Sequence, residues 1–234
     1  MKEDIFEIFV NGEIIYGIWH KAICGHSPNL RSKPAIIMLH GWTGYRTGPH
    51  DMLVKIARSL TQQGYDCFRF DFRGRGYSQG DCRKTNYRSM LEDLDAVLQH
   101  VIHILEFSQI VLAGFSAGAK LAICYARNGN QSVKHVIEMS SPTLRQNKVE
   151  TKLSGGEIQK QPFGKFHGRM LLIHGEKDPE TQPALEQIHE LLQRYRIPSD
   201  THIVKNANHS FYSIAWEKEI IELIVNWLNK NNHR

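Results

Sequence analysis

The segment Gln109–Ala126, which reads QIVLAGFSAGAKLAICYA, decides the fold of this 234-residue chain. It begins with a short apolar run, passes through a G-x-S-x-G pattern at residues 114–118, and continues with a helix-forming stretch. A buried strand that turns abruptly into a helix holds the central side chain, here Ser116, in a tight elbow at the edge of a sheet. Glycine suits both flanking positions because a Cβ there would collide with neighbouring backbone. The segment therefore predicts a strand, an elbow and a helix, with Ser116 at the tip.

Further apolar runs on both sides of this unit predict a mostly parallel sheet. They are short and continuous rather than alternating, which is typical of strands buried on both faces. Amphipathic stripes with helical spacing fill the gaps between them. The order of elements predicts an α/β fold with a doubly wound, eight-stranded sheet and helices on both faces. The predicted strands are Ile5–Val10, Glu13–Trp19, Ala35–Leu39, Cys67–Phe70, Ile110–Ala113, Val133–Met139, Met170–Ile173 and a short one near His202–Val204. The first two flank Asn11-Gly12, a strong hairpin signal.

The length favours a single domain over residues 1–234. One segment, Thr143–His167, departs from the strand–helix rhythm, because it is polar, rich in lysine and contains Gly155-Gly156. We expect it to form a short lid insert over the carboxyl edge of the sheet. Since it has few apolar residues, it predicts a shallow, modest pocket rather than a deep apolar tunnel.

Composition excludes several other classes of protein. The net charge of +5 is not concentrated in any run of five like charges, so no nucleic-acid partner is expected. No apolar stretch has the length of a signal peptide or a transmembrane helix, so we expect a cytoplasmic protein without integral membrane association. The cysteines contain no CxxC pair, which argues against a zinc ribbon or a thioredoxin-like site. They are Cys24, Cys67, Cys82 and Cys124. The sequence does not indicate an oligomeric state.

Residues able to activate Ser116 follow the later strands. A serine hydroxyl is a weak nucleophile and needs a base, which in turn needs an acid to orient it. After an elbow of this kind the acid is expected next in the chain and the histidine last. Asp178 follows the strand Met170–Ile173, and His209 lies between the last strand and the last helix. Glu176 is the alternative acid, and Asp178 is also placed to cap the helix predicted over 179–194.

A glycine-lined loop, His40–Gly44, follows the strand Ala35–Leu39. A loop at this point aims a backbone N–H at a substrate carbonyl oxygen, together with the N–H of the residue after the nucleophile. The predicted oxyanion donors are therefore Trp42 and Ala117, and the Trp42 indole is expected to wall the acyl site. His40 is interpreted as structural rather than catalytic, bonded to loop backbone.

With these motifs in order, the chain resembles the α/β-hydrolase superfamily over nearly its whole length. Its compact form is similar to small serine esterases and acyl-thioesterases with a minimal cap, including the feruloyl-type esterases. The resemblance implies that Ser116 is the nucleophile, His209 the base and Asp178 the orienting acid, and that no metal or cofactor is required. The matching motifs are His40-Gly41-Trp42, the D-x-R-G-x-G-x-S stretch Asp71–Ser78, G-x-S-x-G at 114–118, His174–Asp178 and Asn208-His209.

The resulting hypothesis is a serine hydrolase that cleaves small to medium carboxylic esters or thioesters. Serine at position 116 argues against the dehalogenases and epoxide hydrolases of the same fold, which use aspartate, and against the dienelactone-type members, which use cysteine. Two alternatives remain open at this stage. The same residues would serve an acyltransferase or a peptidase, and a catalytically silent hydrolase-like binding protein is less favoured because all three positions are filled.

Overall fold

One eight-stranded sheet organises the described part of the chain in a computed structural model, which describes residues 2–23, 33–127, 129–144, 163 and 166–231. The strands lie in the order β1-β2-β4-β3-β5-β6-β7-β8. Pairing is antiparallel between β1 and β2 and between β2 and β4, and parallel from β4 to β8. The strands are β1 Lys2–Val10, β2 Glu13–Lys21, β3 Ala35–Leu39, β4 Cys67–Phe70, β5 Ile110–Phe115, β6 Val133–Met139, β7 Arg169–Gly175 and β8 Ser199–Val204. The predicted α/β architecture is confirmed.

Helices cover both faces of the sheet. They are α1 Met52–Gln62, α2 Tyr87–Gln99, α3 Ala117–Arg127, α4 Thr181–Arg194 and α5 Ile214–Asn231. One buried cluster joins α2, α3 and α4 to the sheet, and a second cluster on the opposite face joins α1 and α5 to it. Successive residues of β3, β5 and β7 enter different clusters, so neither face of these strands is polar. This explains the continuous apolar runs in the sequence.

The amino-terminal hairpin has the turn that its sequence predicts. Asn11 and Gly12 both have positive φ, at 49° and 84°, as the two central residues of a type I′ turn require. β2 continues to Lys21, beyond the predicted end at Trp19, because it pairs with β4 in the register His20 to Cys67. The hairpin is thereby attached to the main sheet.

The helical stripe at residues 87–105 ends differently from an ordinary helix. α2 ends at Gln99, and His100–Ile104 form a π-helical turn. The Leu105 N–H bonds the carbonyl of His100 at 3.1 Å, which closes the wider turn. Val101 stays buried, so the apolar stripe continues through it.

The predicted lid insert lies outside the described residues except at five positions. Its depth-limiting effect on the acyl site therefore stays a prediction. The described positions are Thr143, Leu144, Phe163, Phe166 and His167. Of these, Phe163 and Phe166 are buried in the cluster that contains α2, α3 and α4, and Leu144 packs against the same cluster.

Candidate active site

Ser116 stands in a strained elbow between β5 and α3. Its φ is 53°, in the left-handed region that non-glycine residues rarely adopt, and its N–H bonds the Met139 carbonyl at 2.8 Å. A Cβ on Gly114 would stand 2.3 Å from the Gly118 oxygen, and a Cβ on Gly118 would stand 2.3 Å from the Leu39 oxygen. Both glycines of the pattern are therefore required by the backbone around Ser116.

Three of the side chains singled out in the sequence meet at this elbow. His209 Nε2 lies 3.1 Å from Ser116 Oγ, and His209 Nδ1 lies 2.7 Å from Asp178 Oδ2. His209 is 93 positions from Ser116 and 31 positions from Asp178 in the chain, so both contacts depend on the sheet topology. An imidazole in this position can accept the hydroxyl proton through Nε2 while Nδ1–H donates to the carboxylate.

The carboxylate of Asp178 is buried and kept ionised by its hydrogen bonds. Burial acts to raise the pKa of Asp178, but the hydrogen bonds from His209 and from the Glu180 backbone N–H outweigh it and leave that pKa below its ordinary value. The Glu180 bond measures 3.1 Å, and the Thr181 N–H bonds the Asp178 carbonyl at 3.0 Å where α4 begins. Asp178 therefore both faces His209 and shapes the start of the helix.

The alternative acid, Glu176, is exposed and points to a different partner. Its Oε2 accepts the Asn206 N–H at 2.7 Å. The Lys177 N–H bonds the Ala207 carbonyl at 2.8 Å, and a Cβ on Gly175 would stand 2.5 Å from that same oxygen. These contacts press the loop that carries Asp178 against the loop that carries His209. The carboxylate brought to His209 is thus that of Asp178.

The proposed oxyanion residues flank Ser116. Ala117 is the first residue of α3, where a backbone N–H has no partner within the helix. A Cβ on Gly41 would lie 3.2 Å from the Ser116 Cβ, so the loop that carries Trp42 lies directly against the elbow. The guanidinium of Arg75 stands 5.3 Å from the centroid of the Trp42 ring. The roles of Trp42 and Ala117 as donors stay predictions.

His40 lies buried beneath this loop and makes backbone hydrogen bonds. Its Nδ1–H donates to the Gly41 carbonyl at 2.8 Å, and its Nε2 accepts the Phe72 N–H at 3.3 Å. Burial lowers the pKa of His40 to about 4, so the ring is neutral at pH 7. This geometry agrees with a structural role.

The D-x-R-G-x-G-x-S stretch is held together by its first residue. The buried carboxylate of Asp71 accepts the Arg46 N–H at 2.7 Å and the Tyr77 N–H at 3.1 Å, and it also pairs with the Arg46 guanidinium. Ser78 Oγ–H donates to the Asp71 carbonyl at 2.6 Å. These bonds tie the loop after β4 to the loop after β3, beside the site.

One residue at the site had no assigned role in the sequence. His50 Nε2 lies 2.6 Å from the carbonyl of Ser210, the residue after His209. The two residues are 160 positions apart, and His50 is one of 13 histidines. No sequence pattern marks it, because the contact depends on the conformation of two loops.

The described residues contain neither a metal-binding cluster nor a membrane-spanning helix. Within the described ranges, no group of three or more His, Cys, Asp or Glu side chains is arranged to hold a metal ion. None of the helices in that part of the chain is long and apolar enough to cross a membrane.

Comparisons with known proteins agree with the observed fold. The profile of the alpha/beta hydrolase fold family matches residues 34–171, more than half of the chain, a range that includes Ser116 but neither Asp178 nor His209. The AB hydrolase superfamily protein YisY of Bacillus subtilis is 34% identical over 107 residues, which cover 45% of this chain and 37% of that protein. A Haemophilus influenzae protein with an esterase/lipase name is 37% identical over 90 residues, 38% of this chain and 28% of its own. The matches span about a third of these relatives' lengths.

Among solved structures, Est1E from Butyrivibrio proteoclasticus with bound ferulic acid is similar over the whole fold. The TM-score is 0.77, and the superposition covers 98% of this chain and 100% of that one. At 17% identity the likeness shows a common fold.

Proposed function

This chain belongs to the α/β-hydrolase family, and on that premise we propose that it is a serine hydrolase that cleaves carboxylic esters or thioesters. The observation that carries the proposal is the continuous contact from Ser116 Oγ through the His209 imidazole to the buried carboxylate of Asp178. The esterase/lipase name of the Haemophilus influenzae relative supports the same reaction class.

The first half of the reaction forms an acyl-enzyme. Ser116 Oγ attacks the substrate carbonyl carbon while His209 Nε2 takes the hydroxyl proton, and Asp178 stabilises the resulting imidazolium. The negative charge on the carbonyl oxygen is held by the N–H groups of Trp42 and Ala117. Losing one such donor costs roughly 2.7–4 kcal/mol of transition-state stabilisation. The bond to the leaving alcohol or thiol then breaks, and His209 donates the proton that it took from Ser116 to this leaving group.

The second half returns the enzyme to its starting state. His209 takes a proton from water as the water oxygen attacks the acyl carbon on Ser116. The tetrahedral species collapses to the free acid, and the proton returns to Ser116 Oγ. Every step uses groups of this chain. In the net reaction one water molecule supplies the hydroxyl group of the acid and the proton of the alcohol or thiol.

Hydrolysis of p-nitrophenyl butyrate by the purified protein and by Ser116→Ala tests the proposal. We expect turnover by the wild type and a loss of about 10⁶-fold in kcat in the variant, as for removal of a serine nucleophile. Ser108→Ala is the matched control, because Ser108 is exposed in the loop before β5, at the opposite end of the same strand from the elbow. Full activity in Ser116→Ala would refute the proposal.

A further inference from the structure

The loop that carries His209 is held from behind by His50. We define the base loop as residues 206–213, between β8 and α5. His50 Nε2–H donates to the Ser210 carbonyl in this loop at 2.6 Å. On the other side of the ring, His50 Nδ1 pairs with the carboxylate of Glu217. One imidazole thus joins the turn before α1 to the base loop and to the first turns of α5.

Glu217 is itself firmly held. The side chain is only 8% exposed, and both of its oxygens accept from Lys55 Nζ at 2.9 Å. Because Lys55 belongs to α1 and Glu217 to α5, the carboxylate stands between two helices that pack on the same face of the sheet. A carboxylate that accepts two hydrogen bonds from an ammonium group is a rigid anchor for the imidazole.

The backbone of the turn that carries His50 is strained. His50 has φ 39° and the next residue, Asp51, has φ 62°, both in the left-handed region. Such conformations are unfavourable for residues other than glycine and persist only where the surroundings impose them. The ring of Tyr212, from the base loop, stands edge-on to the His50 ring with centroids 5.3 Å apart. The imidazole is therefore oriented by contacts on several sides.

The base loop cannot keep its shape by local preference alone. Asn206 and Phe211 have φ of 59° and 53°, so one non-glycine residue before His209 and one after it are in the left-handed region. The loop that carries Asp178 holds the start of the base loop, because the Lys177 N–H donates to the Ala207 carbonyl. After His209, the carbonyl of Ser210 is held by His50.

We propose that His50 is a positioning residue for His209, acting through the Ser210 carbonyl and anchored by Glu217 and Lys55. The inference rests on the proposed function, since His209 must be the base for its position to matter. A displacement of about 1 Å at a proton-transfer group can cost on the order of 10²-fold in rate. His50 therefore supports kcat without touching the substrate.

Two isosteric replacements separate this role from simple packing. In His50→Gln the amide nitrogen stands near the place of Nε2 and can still donate to Ser210, whereas in His50→Asn it stands near Nδ1 and can reach only Glu217. We expect kcat to fall about 10- to 100-fold in His50→Asn, with KM within about threefold, and to stay within about threefold of wild type in His50→Gln. The kinetics are measured with p-nitrophenyl butyrate.

His202→Asn is the matched control. His202 Nε2 lies 2.6 Å from Glu219 Oε1, so this pair also ties a histidine to α5, but on the exposed surface and away from the base loop. Its kcat should equal that of the wild type. If His50→Asn does not fold, as judged by thermal unfolding, Glu217→Gln replaces it and should lower kcat with KM nearly unchanged.

The outcomes distinguish the inference from the function on which it rests. A wild type that does not turn over the ester, and is not labelled at Ser116 by a fluorophosphonate, refutes the proposed function. An active wild type with equal kcat in His50→Asn, or with equal losses in His50→Asn and His50→Gln, refutes the role of His50. A change confined to KM also contradicts it.

Discussion

Gly118 lies so close to the Leu39 carbonyl that a Cβ on Gly118 would stand 2.3 Å from that oxygen. This contact joins the start of α3 to the end of β3 and so brings the elbow of Ser116 against the loop of Trp42. The clash would join a backbone oxygen to a Cβ atom, which is bonded directly to the backbone. No side-chain rotation can therefore relieve it.

Gly118→Ala is expected to destabilise the fold by at least about 1–3 kcal/mol, the usual cost of an overpacked interior. The glycine is not among the residues with positive φ, so the loss comes from the steric clash alone. Urea unfolding measures it. Gly12→Ala is the control for backbone strain, since Gly12 has φ 84° and nothing within 4 Å of its would-be Cβ. A fully stable Gly118→Ala would contradict the packing described.

Asp178→Asn is expected to lower kcat by about 10⁴-fold while the protein stays folded, because an amide cannot stabilise the imidazolium and favours the wrong tautomer of His209. Ester hydrolysis measures the loss. Glu176→Gln should keep most of the activity, since Glu176 is exposed and bonded to the Asn206 N–H. The opposite ranking of these two variants would make Glu176 the acid.

The low pKa of His40 makes the protein less stable in mild acid. The pKa of this buried histidine is about 4 in the fold against 6.5 ordinarily, so the unfolded chain binds more protons between these values. Stability from His40 is therefore full above pH 6.5 and is lost as the pH falls to 4, by about 3 kcal/mol in total.

Urea unfolding at several pH values between 4 and 7.5 tests this dependence. Burial, followed by the charge of Arg69, also lowers the pKa of His20 to about 4, so only the difference between wild type and His40→Gln isolates His40. The variant should be less stable at pH 7 and show a flatter slope. His189→Gln, at an exposed position on α4, should follow the wild type. Equal slopes for wild type and His40→Gln would contradict the neutral, buried histidine.

The polar composition of Thr143–His167 predicts a preference for short acyl chains. We expect kcat/KM for p-nitrophenyl acetate or butyrate to exceed that for the palmitate ester, because few apolar side chains are available to cover a long chain. Steady-state kinetics with the three esters measure the order. A preference for palmitate would overturn the shallow site.

The sheet could be predicted because its strands are buried on both faces. Ile36 and Met38 enter one apolar cluster while Ile37 and Leu39 enter the other, and this produces the continuous apolar run seen in the sequence. Strand ends were less accurate, as at β2, because they depend on the pairing partner rather than on local sequence.

The approach of Ser116, Asp178 and His209 could also be predicted, since each follows a strand whose carboxyl end reaches the same edge of the sheet. The choice between Asp178 and Glu176 could not be made from spacing. The choice depends on a turn in which the Asn206 N–H donates to the Glu176 carboxylate and so holds it away from His209. The contact of His50 with Ser210 lies further out of reach, because it requires two loops with left-handed residues.

Labelling with a fluorophosphonate, followed by mass spectrometry of the peptides, tests the central claim most directly. The reagent bonds covalently to a serine only when a neighbouring base activates it. The account predicts one adduct on the folded wild type, carried by the peptide that contains Ser116, and none in Ser116→Ala, while Ser108→Ala is labelled like the wild type. An unlabelled folded wild type, or an adduct that persists in Ser116→Ala, would contradict it.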